Sequence, residues 1–172
     1  IQWQNTIGGT SDDILNSVQQ TADGGYMLGG YSSSGISGDK TDAANLNVGG
    51  GNSSDFWVLK LNSGGSIEWQ KTIGGNSTDR LFSIDLASDG GYILGGYSDS
   101  GISGDKSEAV IGGYDYWVVK INSIGNLEWE NTIGGSNAED LVCVKQTSDD
   151  GFIIGGYSTS NISGDKTENN IW

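Results

Sequence analysis

Apolar and polar residues alternate with a period of two along short segments of this chain, which is typical of β-strands. In one such segment, Ser83 and Asp85 alternate with Phe82, Ile84 and Leu86. A glycine turn, "DGG" or "DDG", follows each of these segments and leads to a second one, "YMLGGYS", "YILGGYS" or "FIIGGYS". No stretch combines a helical period with capping residues, so we predict an all-β chain.

A third kind of segment is nearly continuous in apolar residues. It reads "FWVLKL" from Phe56 and "YWVVKI" from Tyr116. Such runs are typical of strands in a sheet that is covered on both faces. A further glycine turn leads to a fourth segment, "IEWQKTI" or "LEWENTI". The pattern therefore predicts units of four short antiparallel strands.

These units form an internal repeat. "IQWQNTIGG", "IEWQKTIGG" and "LEWENTIGG" begin at Ile1, Ile67 and Leu127, in steps of 66 and 60 residues. The "GGY" segments and three copies of "SGDK" follow the same steps, so the repeat extends through the chain. The predicted units of this single domain are 1–66, which opens on a fourth strand, 67–126, and 127–172, which is incomplete.

Four-stranded antiparallel units of about 60 residues predict the blades of a β-propeller. A β-solenoid is the alternative, but its coils usually have shorter periods. Three units are fewer than a propeller needs, and isolated units leave sheet edges and a blade face uncovered. We therefore expect this chain to be part of a longer protein or to assemble with copies of itself. Trp172 begins a third strand or lies in a loop.

Composition and charge narrow the possible functions. The 22 acidic residues outnumber the 8 basic residues, giving a net charge of −14. An acidic surface repels nucleic acids and anionic membranes, so we expect neither as a partner. The chain has no run of 18 apolar residues, so we expect no membrane insertion.

The cysteine and histidine counts are also informative. Cys143 is the single cysteine, which excludes an internal disulfide, and its apolar neighbours predict a small core residue. The chain has no histidine, which removes the commonest general base and the commonest zinc ligand.

The repeat resembles a known type. Units with "W-x-x-T-I-G-G", "D-G-G-Y-I-L-G-G-Y-S", "S-G-D-K" and "Y-D-Y-W-V-V-K" resemble repeats of large surface and secreted proteins of Bacteroidota. The resemblance covers essentially the whole chain. It implies a propeller-like fold, export by type IX secretion and an extracellular or cell-surface location. It implies no particular activity.

The "SGDK" phrase is a candidate calcium site, because calcium prefers carboxylate and carbonyl oxygens. The alternative is a structural turn, in which the aspartate accepts backbone N–H groups and the glycine takes an unusual φ. The lysine in the middle of the phrase and the sparse acid spacing favour the turn. The candidate calcium ligands are Asp39, Asp42, Asp105, Glu108, Asp165 and Glu168.

A second acidic column, Asp13, Asp79 and Glu139, lies just after "TIGG". Paired carboxylates catalyse glycoside hydrolysis, so this column is a candidate catalytic group. However, an active site usually breaks a repeat, whereas these acids recur in register. We therefore predict that they maintain the repeat and that the protein is not an enzyme.

Aromatic residues beside the same loops are candidate ligand contacts. Tyr31, Tyr97 and Tyr157 end the second strands, and Tyr114 precedes a third strand. Aromatic planes stack on sugars and anchor protein interfaces, although they also fill the space between blades. The loop of the first unit is six residues longer than that of the second, as 15 residues at 41–55 against 9 at 107–115, which fits a recognition edge or a tolerated insertion.

The sequence thus predicts a non-catalytic scaffold or binding module of an exported bacterial protein. It would present loops on one propeller face to a protein or a glycan. One alternative is a lectin-like propeller with a weak sugar site in each blade. Another is an accessory domain of a secreted carbohydrate-active enzyme.

Overall fold

The computed structural model describes residues 2–43 and 53–171, and within them the chain forms ten β-strands and no helix. The all-β prediction is therefore confirmed. The strands are β1 Asp13–Gln20, β2 Tyr26–Ser32, β3 Asp55–Leu61, β4 Ile67–Ile73, β5 Asp79–Leu86, β6 Tyr92–Ser98, β7 Asp115–Ile121, β8 Leu127–Ile133, β9 Glu139–Gln146 and β10 Phe152–Ser158. The described part contains no helix that is long and apolar enough to cross a lipid bilayer.

The strands form three open antiparallel sheets. The first sheet has the order β1-β2-β3-β4, the second β5-β6-β7-β8, and the third β9-β10. Within each sheet, every strand pairs with its neighbour in sequence. Short turns connect the first strand to the second and the third to the fourth, whereas longer loops connect the second to the third. Gly24, Gly65, Gly90 and Gly125 take positive φ in these turns, a conformation that glycine adopts without steric cost.

The three sheets pack face to face in chain order. β5 lies against β1, β2 and β3, and β9 lies against β5, β6 and β7. Between the first two sheets, the core contains Met27, Phe56 and Val58 together with Leu81 and Ile84. A second core, between the second and third sheets, contains Ile93, Val118, Leu141 and Val144. β3 is buried along its whole length, as its continuous apolar sequence predicts.

The paired glycines of the second strands are explained by two close approaches. A Cβ atom on Gly29 would lie 2.1 Å from Ile84 Cδ1, so this glycine makes room for a side chain of the next sheet. A Cβ atom on Gly30 would lie 1.7 Å from the carbonyl oxygen of Ile14 on the neighbouring strand. The second glycine of the pair therefore allows a close approach of the neighbouring backbone.

The fourth-strand tryptophans do not cover these glycines. The ring centroid of Trp69 lies 6.2 Å from that of Tyr92, and the centroid of Trp129 lies 5.9 Å from that of Phe152. Each indole packs on the first residue of the second strand in the following sheet. The space beside Gly29 and Gly95 is filled instead by leucine, isoleucine or valine side chains from the next sheet.

Residues 2–8 do not form the fourth strand that the repeat predicts. No strand of the described chain forms a hydrogen-bonded pair with this segment. Its side chains nevertheless take the places of a fourth strand, since the ring centroid of Trp3 lies 5.7 Å from that of Tyr26. The alternatives for Trp172, and most of the long loop of the first unit, lie outside the described residues.

Cys143 is exposed, so the prediction of a buried core residue is wrong. A β-bulge at Val142 interrupts the alternation along β9, so that Leu141 and Val144 both lie against the second sheet and Cys143 lies away from that core. The face of the strand on which Cys143 lies therefore decides its burial, and the apolar character of its neighbours in sequence does not.

Candidate functional site

A row of tyrosines crosses one end of the three sheets. Tyr31, Tyr97 and Tyr157 are the next-to-last residues of β2, β6 and β10. The sheets stack with their second strands ending on the same side, so these tyrosines share an edge. Tyr114, which directly precedes β7, lies at the same end. We call these four residues the tyrosine row.

The middle of the row is an aromatic cluster. The ring centroids of Tyr97 and Tyr114 are 4.7 Å apart, with the planes tilted by 35°. The ring centroid of Phe82, on β5, lies 5.7 Å from that of Tyr97. Tyr97 and Tyr114 remain partly exposed, and Tyr157 is exposed, so the cluster presents aromatic surface to solvent.

Two charged residues from the first strands complete the site. The guanidinium carbon of Arg80 lies 4.9 Å from the ring centroid of Tyr31, a cation–π arrangement. Asp140 hydrogen-bonds the side chain of Tyr157, and this bond, together with the negative charge of the carboxylate, raises the pKa of Tyr157 to about 12. Burial raises the pKa of Tyr114, and the charge of Asp140 adds to the effect. Both tyrosines therefore remain protonated hydrogen-bond donors at neutral pH.

The structure brings together sequence-predicted and unpredicted residues. All four predicted tyrosines lie at one end, whereas Arg80, Phe82 and Asp140 were not predicted. The sequence did contain a signal for the charged pair. The equivalent positions Ile14, Arg80 and Asp140 hold a different kind of residue in each unit, whereas the equivalent positions at the end of the second strands all hold tyrosine. A column that breaks the repeat is where a function carried by one unit is expected.

The aspartates of the "SGDK" loops accept hydrogen bonds from the backbone segment that precedes the first strand of each sheet. Asp39 accepts a hydrogen bond from the amide of Gly8 at 3.2 Å, and Asp105 accepts one from Gly74 at 3.1 Å. Asp165 accepts the same bond from Gly134 at 3.1 Å. The preceding glycine has positive φ in all three loops, as a structural turn requires.

The lysine of the phrase and the acid two residues after it contact the fourth strand. Asp42 accepts a hydrogen bond from the amide of Thr72 at 2.9 Å, and Glu108 accepts one from Thr132 at 2.7 Å. The buried ammonium group of Lys106 contacts the Thr132 hydroxyl and lies 5.5 Å from the Trp117 ring centroid.

The third loop differs, and calcium gains no support from any of the three. Lys166 donates instead to the carbonyl oxygen of Glu168 at 3.0 Å. No group of three or more potential metal-binding side chains occurs among the described residues. Carboxylates of the phrase already accept backbone amides beside a lysine ammonium group. Calcium binding therefore stays a prediction that these contacts do not favour.

The acids after "TIGG" are also engaged with the protein. Asp13 accepts the amide of Gly9 at 2.6 Å, Asp79 accepts that of Gly75 at 2.7 Å, and Glu139 accepts that of Gly135 at 2.8 Å. Asp79 is fully buried, and burial raises its pKa to about 6 despite these hydrogen bonds. In each sheet, this acid thus connects the start of the first strand to the backbone segment that precedes it.

The raised pKa of Asp79 gives a pH-dependent contribution to stability. The folded protein binds this proton more tightly than the unfolded chain, so the contribution is present below pH 4 and is lost as the pH rises through about 6. Relative to Asp79→Asn, the wild type should lose up to about 3 kcal/mol of unfolding free energy between pH 4 and pH 7. Urea titrations of both proteins at several pH values measure this difference. Parallel pH profiles would show that Asp79 titrates normally.

No protein-family model matches this chain, and no curated protein matches it either.

Proposed function

We propose that this chain is a non-catalytic binding module, built as part of a β-propeller, in an exported or cell-surface bacterial protein. The observation that carries the proposal is the tyrosine row with Arg80 and Asp140. The row combines exposed aromatic planes, phenolic donors, a carboxylate and a guanidinium group at one edge. These groups are the ones that recognise a protein surface or a glycan. The exported location rests on the resemblance of the repeats to Bacteroidota surface proteins.

The packing of the sheets supports a propeller arrangement. Each four-stranded sheet runs through its strands in chain order, and consecutive sheets pack face to face. First strands meet across the interface, where the amide of Ile84 donates to Ser17 Oγ at 3.1 Å and the amide of Val144 donates to Ser83 Oγ at 3.2 Å. First strands at the inside, with later strands further out, are the arrangement of propeller blades around an axis.

The hydrogen bonds made by the acidic residues favour a binding role over catalysis. The recurring carboxylates Asp13, Asp79 and Glu139 accept backbone amides of their own sheets. They recur in every unit, as residues that maintain a fold do. Asp140, by contrast, occurs in one unit and faces the aromatic cluster.

The geometry favours one composite site over a sugar site in each blade. Tyr31 is covered by Arg80, Tyr97 is packed between Phe82 and Tyr114, and Tyr157 is exposed. The three equivalent tyrosines therefore have three different environments. A lectin with equal sites in each blade would have three similar ones.

The test is a binding screen with variants of the row. Wild-type protein is applied to a glycan array and to a panel of host cell-surface proteins, and hits are measured by calorimetry. Tyr157→Ala and Tyr114→Ala should each weaken binding at least about tenfold, as expected for aromatic contacts at the centre of an interface. Tyr157→Phe keeps the ring, so it separates stacking from hydrogen bonding.

The matched control is Ile124→Ala, an exposed residue in the β7–β8 turn at the opposite end of the sheets. It should bind as the wild type does. Ligands that bind the row variants and the wild type equally would contradict the proposed site. A ligand that contacts all three tyrosine positions with equal loss on mutation would favour the lectin-like alternative.

A further inference from the structure

The first sheet exposes a face that is buried in the other two. Leu81 and Leu141 are completely buried, whereas Leu15, the equivalent residue of β1, is 57% exposed. Val18 is 56% exposed, although its counterparts Ile84 and Val144 are completely buried. In the second and third sheets these positions are covered by the preceding sheet. No sheet of the described chain covers them on β1.

The third sheet exposes the complementary face. Met27 and Ile93 are completely buried, whereas Ile153 at the same position of β10 is 62% exposed. A Cβ atom on Gly95 would lie 2.7 Å from Leu141, but one on Gly155 would meet no atom within 4 Å. The recess that receives a leucine in the other sheets is therefore open here.

We propose that these two faces bind each other between copies of this chain, head to tail. Leu15 and Val18 of one copy enter the recess at Gly155 and pack on Ile153 of the next copy. The occupant is identified by the chain itself, because the same interface already occurs twice within it. β5 packs on β2 through Gly29, and β9 packs on β6 through Gly95.

The polar contacts between neighbouring sheets of one chain would also recur between two copies. Ser17 Oγ and Ser83 Oγ each accept an amide of the following sheet, and Cys143 takes the same position on β9. Its sulfur would face the amide of Val18 in the next copy, as a weaker acceptor than a hydroxyl oxygen. Cys143 is thus exposed because it belongs to the proposed interface.

A groove on the β1 side adds apolar surface to the same face. It has a volume of about 180 Å³ and is lined by Leu15, Leu28, Trp57 and Leu59, among others. The equivalents of Leu28 and Trp57 in the second sheet, Leu94 and Trp117, are buried against the first sheet. This groove therefore lies where a preceding sheet would pack.

The two faces differ, so the association is heterologous. Such contacts build a closed ring where the rotation between copies permits it, and an open filament otherwise. Each copy carries a net charge of −14, so repulsion between copies opposes assembly at low salt. Association should therefore strengthen as the salt concentration rises.

Sedimentation velocity from about 1 µM to about 100 µM tests the proposal. The wild type should form larger species as its concentration increases. Leu15→Asp buries an unpaired charge in the interface, and Gly155→Val fills the recess in open space without disturbing the monomer. Each should weaken association at least about tenfold. Ile124→Asp, an exposed residue away from both faces, is the control and should associate as the wild type does.

Mixing the two variants distinguishes this interface from a symmetric one. Leu15→Asp keeps the β10 face, and Gly155→Val keeps the β1 face, so an equimolar mixture should form one-to-one dimers and nothing larger. A wild type that stays monomeric throughout, or a mixture that forms no dimer, would overturn the proposal. Tyr157 lies two residues from Gly155 on β10, so ligand binding is measured at a protein concentration at which the chain is monomeric, and the two proposals are then tested independently.

Discussion

Replacement of Trp117 by alanine should lower the free energy of unfolding by about 3 to 5 kcal/mol. Trp117 is completely buried between the first two sheets, and its ring centroid lies 4.8 Å from that of Phe56. Its indole Nε1–H donates to Glu130 Oε2 at 2.6 Å, and Lys106 lies over its ring. Alanine leaves a large cavity, an unpaired carboxylate oxygen and a buried ammonium group without its aromatic neighbour.

Urea unfolding followed by circular dichroism measures this loss, at a protein concentration at which the chain is monomeric. The control is Trp129→Ala, because Trp129 is exposed in β8 and touches one ring, that of Phe152. Its loss should be about 1 kcal/mol, the centre of the distribution for single substitutions. Equal losses at the two positions would show that the interface between the first two sheets is not the main core.

The second large effect is expected on replacing Gly29, whereas the equivalent glycine of the third sheet, Gly155, should tolerate the same replacement. Gly29→Val should destabilise the protein by about 3 kcal/mol, the upper part of the usual range for overpacking. Its Cβ would lie 2.1 Å from Ile84 Cδ1 and 2.6 Å from Leu81 Cδ2, so two buried side chains would have to move. The strands β2 and β5 would separate locally as a result.

Gly155→Val is the matched control, at the equivalent position of the same repeat. The site has open space and an ordinary strand φ, so the change should lie within about 0.5 kcal/mol of zero. Thermal melts of dilute protein compare the two variants directly. If Gly155→Val were as destabilising as Gly29→Val, the third sheet would be covered in the monomer, contrary to the structure.

The local structure was largely predictable from the sequence. The alternation around Ile84 predicted β5, and the continuous apolar run from Phe56 predicted a strand buried on both faces, which β3 is. The turns were predictable because "DGG" and "SGGS" require conformations that glycine adopts easily. These features depend on neighbours in the chain, so a local pattern suffices to predict them.

The candidate site was predictable only in part. Its tyrosines were found because they recur at the end of each second strand. Arg80 and Asp140 were missed because each occurs in one unit only. Asp140 is the cross-strand neighbour of Tyr157 in the β9–β10 hairpin, whereas Arg80 contacts a tyrosine of a different sheet. Only the stacking of sheets brings Arg80 to Tyr31.

Local patterns in the sequence predict the ten observed strands, the turns and the register of the repeat, because a period of two and a glycine position are local properties of the chain. The strand expected at residues 2–8 is the exception. The tertiary structure decided which face of each sheet is buried. Leu15 and Leu81 have the same local pattern, yet one is exposed and the other is completely buried. The difference arises from the presence or absence of a neighbouring sheet, which is a non-local contact. Cys143, Ile153 and Gly155 are exposed for the same reason.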